Sequence, residues 1–185
     1  MNNDRASTAG LDRRDILSLL SDVAVEAEQR EVAISLFLVG GAAMALAYST
    51  SRATKDLDGI FEPKAVVYEI AAHIARIRPE FELAPDWLND AAKGFFPGDD
   101  PEASTFFEAP GLSVRVASPR YLFVMKALSA READEEDLRL LYPLCRFRTA
   151  NEALDAVAAA YPGRLLKAST QYLVEAIAAD AGQTG

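Results

Sequence analysis

Leu38-Val39-Gly40-Gly41 and, a short way on, Thr54-Lys55-Asp56-Leu57-Asp58-Gly59-Ile60 decide how this chain is read. The apolar run from Ile34 to Val39 has β-branched ends and predicts a buried strand. Gly40-Gly41 follows it directly. Ala42 to Tyr48 is small and apolar, which predicts a helix packed closely on that strand. Ser49 to Ala53 reads as a turn, and Thr54 to Phe61 as a second strand that Pro63 ends.

This layout bears on chemistry. Two glycines between a strand and a helix let the backbone turn sharply and let a ligand approach the first N–H groups of the helix. The plain alternative is a tight turn packed under a sheet. Asp56 and Asp58 sit two apart, so on a strand both carboxylates share a face while Leu57 points inward. Like charges side by side repel unless a cation neutralises them, and Mg²⁺ takes oxygen ligands shared with substrate phosphates. The bland reading is two solvated acids at a strand end. Arg52 is placed to grip phosphate oxygens as a fork, or is a solvated loop residue. Thr54 falls on the face of Asp56, where its hydroxyl reaches a phosphate.

Outward from this stretch, residues 1–11 are polar and read as a loose lead-in. Ile16, Leu19, Leu20, Val23 and Val25–Ala27 recur at helical spacing, predicting a helix over 12–30 with Asp12 as cap. A further helix runs from Lys64 to Arg76. Residues 79–110 are irregular, with room for an edge hairpin, and Trp87, Phe95, Phe96, Phe106 and Phe107 are assigned to the core. Leu112 to Ala117 alternates like a half-buried strand. Ser118-Pro119 opens a helix, Thr149 with Glu152 forms a capping box for another, and Leu165 to Ala179 is the last.

Lys126 sits mid-way along a strongly apolar helix. Asp137 follows about three turns later and shares its face if the helix is continuous, with Ala130 and Asp134 in the turns between. The acidic run from Arg131 to Asp137 either interrupts that helix or continues it. A purely structural Lys–Asp pair is the bland reading. His73 is the one histidine and cannot build a zinc site alone. Cys145 reads as packing rather than as a nucleophile.

Bulk properties narrow the classes. With 185 residues, half of them apolar, the chain suits one good-sized domain or a core with an appendage. One cysteine excludes an internal disulfide framework. No signal peptide and no membrane span are legible, so a cytoplasmic protein is expected. The net charge of −9 argues against nucleic-acid binding by bulk charge. A local basic patch would have to act, with Arg76, Arg78, Arg146, Arg148, Arg164 and Lys167 as candidates.

Gly40-Gly41, then Arg52-x-Thr54-x-Asp56-x-Asp58, then Lys126, Arg131, Asp134 and Asp137-Leu138 together resemble the nucleotidyltransferase-fold proteins of the AbiEii/MenT toxin group. Trp87-Leu88-Asn89-Asp90-Ala91 and Val116-Ala117-Ser118-Pro119 add to the likeness, which covers roughly 34–141. The resemblance implies an α+β fold: a small mixed sheet of nucleotidyltransferase type flanked by helices, with a helical C-terminal part. It implies a core over 1–118, with a part over 119–185 completing the site. It implies Mg²⁺- or Mn²⁺-assisted transfer of a nucleotide to the 3′ end of tRNA, and a cognate antitoxin as partner. By the same carry-over Asp56 and Asp58 hold the metal, and Gly40, Gly41, Arg52 and Thr54 bind the triphosphate. Lys126 neutralises phosphate charge, and Asp137 orients Lys126 or the incoming hydroxyl. The sequence departs from the wider fold twice. Gly-Gly replaces the common Gly-Ser, and the strand at 112–117 offers Arg115 where a third carboxylate is common.

Overall fold

The structure is a computed structural model that describes residues 10–49, 51–129 and 131–183. The expected lead-in over 1–9 lies outside these residues, as does Ala130. The chain divides into two compact units, Met1–Lys93 with Ser104–Val116, and Gly94–Ala103 with Ala117–Gly185.

The first unit is a five-stranded mixed sheet with helices on it. Helix α1 (Arg13–Gln29) starts at Asp12, whose side chain accepts from the Asp15 N–H while the Asp15 carboxylate accepts from the Asp12 N–H. Its inward stripe is Ile16, Leu19, Leu20, Val23 and Ala27, all fully buried; Val25 points out, 51% exposed. Strand β1 (Ile34–Leu38) runs into α2 (Gly40–Ala43), which continues as one π-helical turn over Met44–Tyr48. Strand β2 (Leu57–Glu62) and helix α3 (Lys64–Ile77) follow. Short β3 (Leu88–Asn89) and the hairpin of β4 (Ser104–Ala109) and β5 (Leu112–Val116) complete the sheet, in the order β3-β2-β1-β5-β4.

Alternation sets the inward face of the sheet. Ile34, Leu36 and Leu38 of β1 lie beside Leu112, Val114 and Val116 of parallel β5, and beside Phe61 and Gly59 of antiparallel β2. Burying such rows contributes about 1.5–3 kcal/mol per large apolar side chain. The opposite face carries Phe37, Ile60 and Arg115, with the Arg115 guanidinium 6.0 Å from the Phe37 ring centre. Trp87 is buried and its indole N–H donates to the Ala71 carbonyl at 2.9 Å.

The second strand is shorter than the sequence suggests. It starts at Leu57, because Thr54 exchanges backbone hydrogen bonds with Leu11 instead (2.6 and 3.0 Å). Leu11 is accordingly buried and docked rather than loose.

The second unit holds α4 (Pro119–Ser129), α5 (Glu135–Leu144), α6 (Ala150–Ala160) and α7 (Ala168–Gln183). Ser118 caps α4 by accepting from the Tyr121 N–H, and its own N–H and hydroxyl donate to buried Asp100. Thr149 caps α6, but the Glu152 carboxylate takes the Arg148 N–H, one residue before the cap. Phe123, Tyr142 and Phe147 stack edge-on around 5–6 Å apart in its core. Phe95, expected in the core, is 46% exposed.

Candidate functional site

In the first unit, fully buried Val39 hands an extended backbone to Gly40, which turns at φ +60°. That left-handed conformation strains any residue with a Cβ. A Cβ there would also stand 3.5 Å from Asp58 Oδ2. At Gly41 a Cβ would meet Thr54 Oγ1 at 2.6 Å, a clash. The glycine turn, Thr54 and Asp58 therefore form one corner, closed at Gly41 because that glycine has no side chain. The Val39 N–H donates to the Asp58 carbonyl at 2.9 Å and locks β2 to the start of that turn.

Thr54 donates its hydroxyl to the Asp56 carbonyl at 3.0 Å. A phosphate would have to compete for that hydrogen. Asp56 lies in the bend before β2, so the shared strand face expected for Asp56 and Asp58 does not follow from ladder geometry. Asp56 lines a groove of about 460 Å³ with Lys55, Tyr68, Asp86, Asn89 and Asp90. Arg52 is half-buried in the turn after α2, with its N–H on the Ser49 carbonyl at 3.2 Å.

One feature of that groove was not legible in the sequence. Asp90 accepts from Lys64 Nζ and from the Tyr68 hydroxyl, each at 2.6 Å. These two donors hold the Asp90 carboxyl below the usual carboxylate range, the lysine foremost. The same hydrogen bonds raise Lys64 and Tyr68. Lys64 and Tyr68 share a face one turn apart, which was a signal; Asp90, far along the chain, gave none.

In the second unit Lys126 is 8% exposed, at the end of α4. Its Nζ lies 2.7 Å from Asp134 Oδ1 and 2.8 Å from Asp137 Oδ2. The Ser129 hydroxyl adds a hydrogen bond to Asp134 Oδ2 at 3.0 Å. The expected Lys126–Asp137 pairing is present, but not through a continuous helix. α4 stops at Ser129, a 3₁₀ turn covers Glu132–Asp134, and α5 begins at Glu135. The acidic run breaks the helix because Glu135, Glu136 and Asp137 suit the positive end of a new one. The turn brings α5 back along α4, and Asp134 becomes as close a partner as Asp137. Burying one cation with two carboxylates makes each member dependent on the others.

Cys145 has its thiol pushed up to about 12 by burial, so it stays protonated at neutral pH. Among the described residues no group of three or more His, Cys, Asp or Glu is arranged to hold a metal ion. Asp56 and Asp58 are thus a sparse donor set. Mg²⁺ commonly uses one or two carboxylates and completes its shell with water and substrate phosphates.

A family model described as "Nucleotidyltransferase of unknown function (DUF6036)" matches residues 15–141, from α1 into α5. The match spans the glycine turn, both aspartates and the Lys126 cluster. No curated protein and no solved structure matches the chain. The matched residues exceed half of the sequence, and the chain belongs to this family of nucleotidyltransferases.

Proposed function

We propose that the protein transfers a nucleotidyl group from a nucleoside triphosphate to the 3′ end of tRNA, as the toxin of a toxin–antitoxin pair in the cytoplasm. The corner at Gly40, Gly41, Thr54 and Asp58, in a chain of a nucleotidyltransferase family, supports the transfer. The acceptor and the antitoxin rest on the motif likeness to the AbiEii/MenT group. Asp56 and Asp58 would hold Mg²⁺ (or Mn²⁺), which would supply charge neutralisation at the triphosphate. The glycine turn admits phosphate oxygens to the N–H groups that open α2, and Arg52 forks onto them. By the motif likeness Lys126 neutralises phosphate charge; its Nζ donates to Asp134 at 2.7 Å and is ion-paired with Asp137 at 2.8 Å. The acceptor oxygen bonds to the α-phosphorus, the bond to pyrophosphate breaks, and the hydroxyl proton passes to solvent.

Incubation with labelled triphosphates, Mg²⁺ and total tRNA tests this reading. Label is expected in RNA with the native chain and not with Asp56→Ala. No label, or equal label from both, overturns it. A second reading, transfer to a protein or small-molecule acceptor, is favoured by the net charge of −9 and by Asp86 and Asp90 beside Asp56 in the groove. Label in protein or in small molecules selects it. A non-catalytic nucleotide-binding role draws on Arg115 in β5, where a third acid is common. Calorimetric binding of nucleotide without turnover selects that one.

A further inference from the structure

A concavity of about 350 Å³ lies wholly within the second unit, walled by Phe95, Ser129, Arg131, Arg164, Leu165 and Lys167 among others. Its walls carry three cations and no carboxylate, in a protein of net charge −9. Some arginines elsewhere are neutralised. Arg30, Arg78 and Arg139 are each tied to two carboxylates. Arg131, Arg164 and Lys167 are exposed, and none of them enters an ion pair among the described residues. Three exposed cations left unneutralised side by side repel one another, and an anion removes that repulsion.

The groove also offers apolar surface in the open. Leu165 is 97% exposed and Phe95 46% exposed. Phe95 is held in place by its backbone: its carbonyl accepts from the Tyr161 hydroxyl at 2.6 Å. The Arg164 guanidinium lies 5.9 Å from the centre of the same tyrosine ring. Tyr161 thereby ties the aromatic rim to the cationic wall. Ser129, on the floor, is the residue that donates to Asp134 of the Lys126 cluster. A phosphate-binding wall with an aromatic and an aliphatic side chain on its rim suits a nucleotide whose base stacks and whose phosphates are neutralised.

We infer that this groove binds single-stranded nucleic acid, one nucleotide seated against Phe95 and the neighbouring phosphates on Arg131, Arg164 and Lys167. A nucleic-acid ligand for this groove rests on the RNA-acceptor reading. A strand is favoured over a free nucleotide because all three cations are exposed, where phosphates on either side of one nucleotide pass.

The experiment is fluorescence anisotropy with a labelled single-stranded RNA of about a dozen nucleotides, from 50 to 200 mM salt. Arg131→Glu with Arg164→Glu and Lys167→Glu is expected to weaken binding by more than about tenfold and to lower the salt slope by about 2. Phe95→Ala is expected to weaken binding by about tenfold without changing the slope. The triple glutamine variant, checked by circular dichroism, decides the matter if the glutamate variant fails to fold. The inference is overturned if the native chain binds no RNA at 50 mM salt, if the triple variant binds normally, or if free nucleoside triphosphate displaces the RNA completely. Groove-dependent RNA binding without transfer to RNA defeats the acceptor reading and leaves the groove standing. Transfer to RNA by a triple variant that binds normally defeats the groove alone.

Discussion

The corner at Gly40 keeps side-chain atoms out, whereas the cluster at Lys126 is made of them. In the corner, Thr54 approaches Gly41 to within the space a Cβ would fill, and Asp58 lies at contact distance from Gly40. In the cluster, a lysine and two aspartates are buried and ion-paired within 3 Å. The first fails when an atom is added, the second when a charge is removed. The corner sets side chains against bare backbone, while the cluster holds a lysine between two carboxylates away from water.

The largest expected effect separates chemistry from packing. Asp58→Ala should lower nucleotidyl transfer by more than about 100-fold while leaving the melting temperature close to native; a full-rate variant would remove Asp58 from the site. Next, Lys126→Met should cost about 3–5 kcal/mol in urea unfolding, because it strands two buried carboxylates. Adding Asp134→Asn and Asp137→Asn should recover part of that loss. If the single variant were as stable as native, the cluster would not be the charge-dependent half of the comparison.

Smaller losses are expected in the corner. Gly41→Ala should cost about 1–3 kcal/mol as the Thr54 side chain is forced aside, and Thr54→Gly in the same chain should give part of it back. Gly40→Ala should cost about 1–2 kcal/mol from its left-handed backbone. Failure of Thr54→Gly to help would show that the corner is not closed at Thr54.

The smallest effect lies at Asp90. Its carboxyl is depressed when folded, so its contribution is present above the unfolded value near 4 and fades as pH falls through the folded value. Lys64, raised by the same bond, contributes below its unfolded value near 10 and loses that contribution as pH rises through the folded one. Asp90→Asn should flatten the fall in melting temperature on acidification below about pH 4. An unchanged acid limb would count against the pairing.

Much of the sheet unit was legible because periodicity and caps are local. The stripe from Ile16 to Val23, the run from Ile34 and the alternation from Leu112 all carried their own signals, as did the Ser118-Pro119 start in the second unit. The β2 boundary was not legible, because its missing residues pair with Leu11, which reads as part of a polar tail. Two-residue β3 is too short for any period. Lys126 and Asp137 were matched by a helical spacing that the chain does not use; a turn brought them together instead. The same turn promoted Asp134, since spacing along a helix says nothing about residues that a reversal folds back. Asp90 depends on a tertiary approach to α3 that no local pattern encodes.

The segment Gly94–Ala103 belongs with the second unit although it is emitted between β3 and β4 of the first. Its ties run forward, from Asp100 to Ser118, from Gly98 to Tyr121 and from Phe95 to Tyr161. During synthesis the sheet has every strand once Val116 has left the ribosome, while this loop must wait for partners not yet made. A fragment cut after Val116 would strand Asp100, buried in the full chain, without the serine that covers it. Limited proteolysis should therefore release no stable N-terminal half.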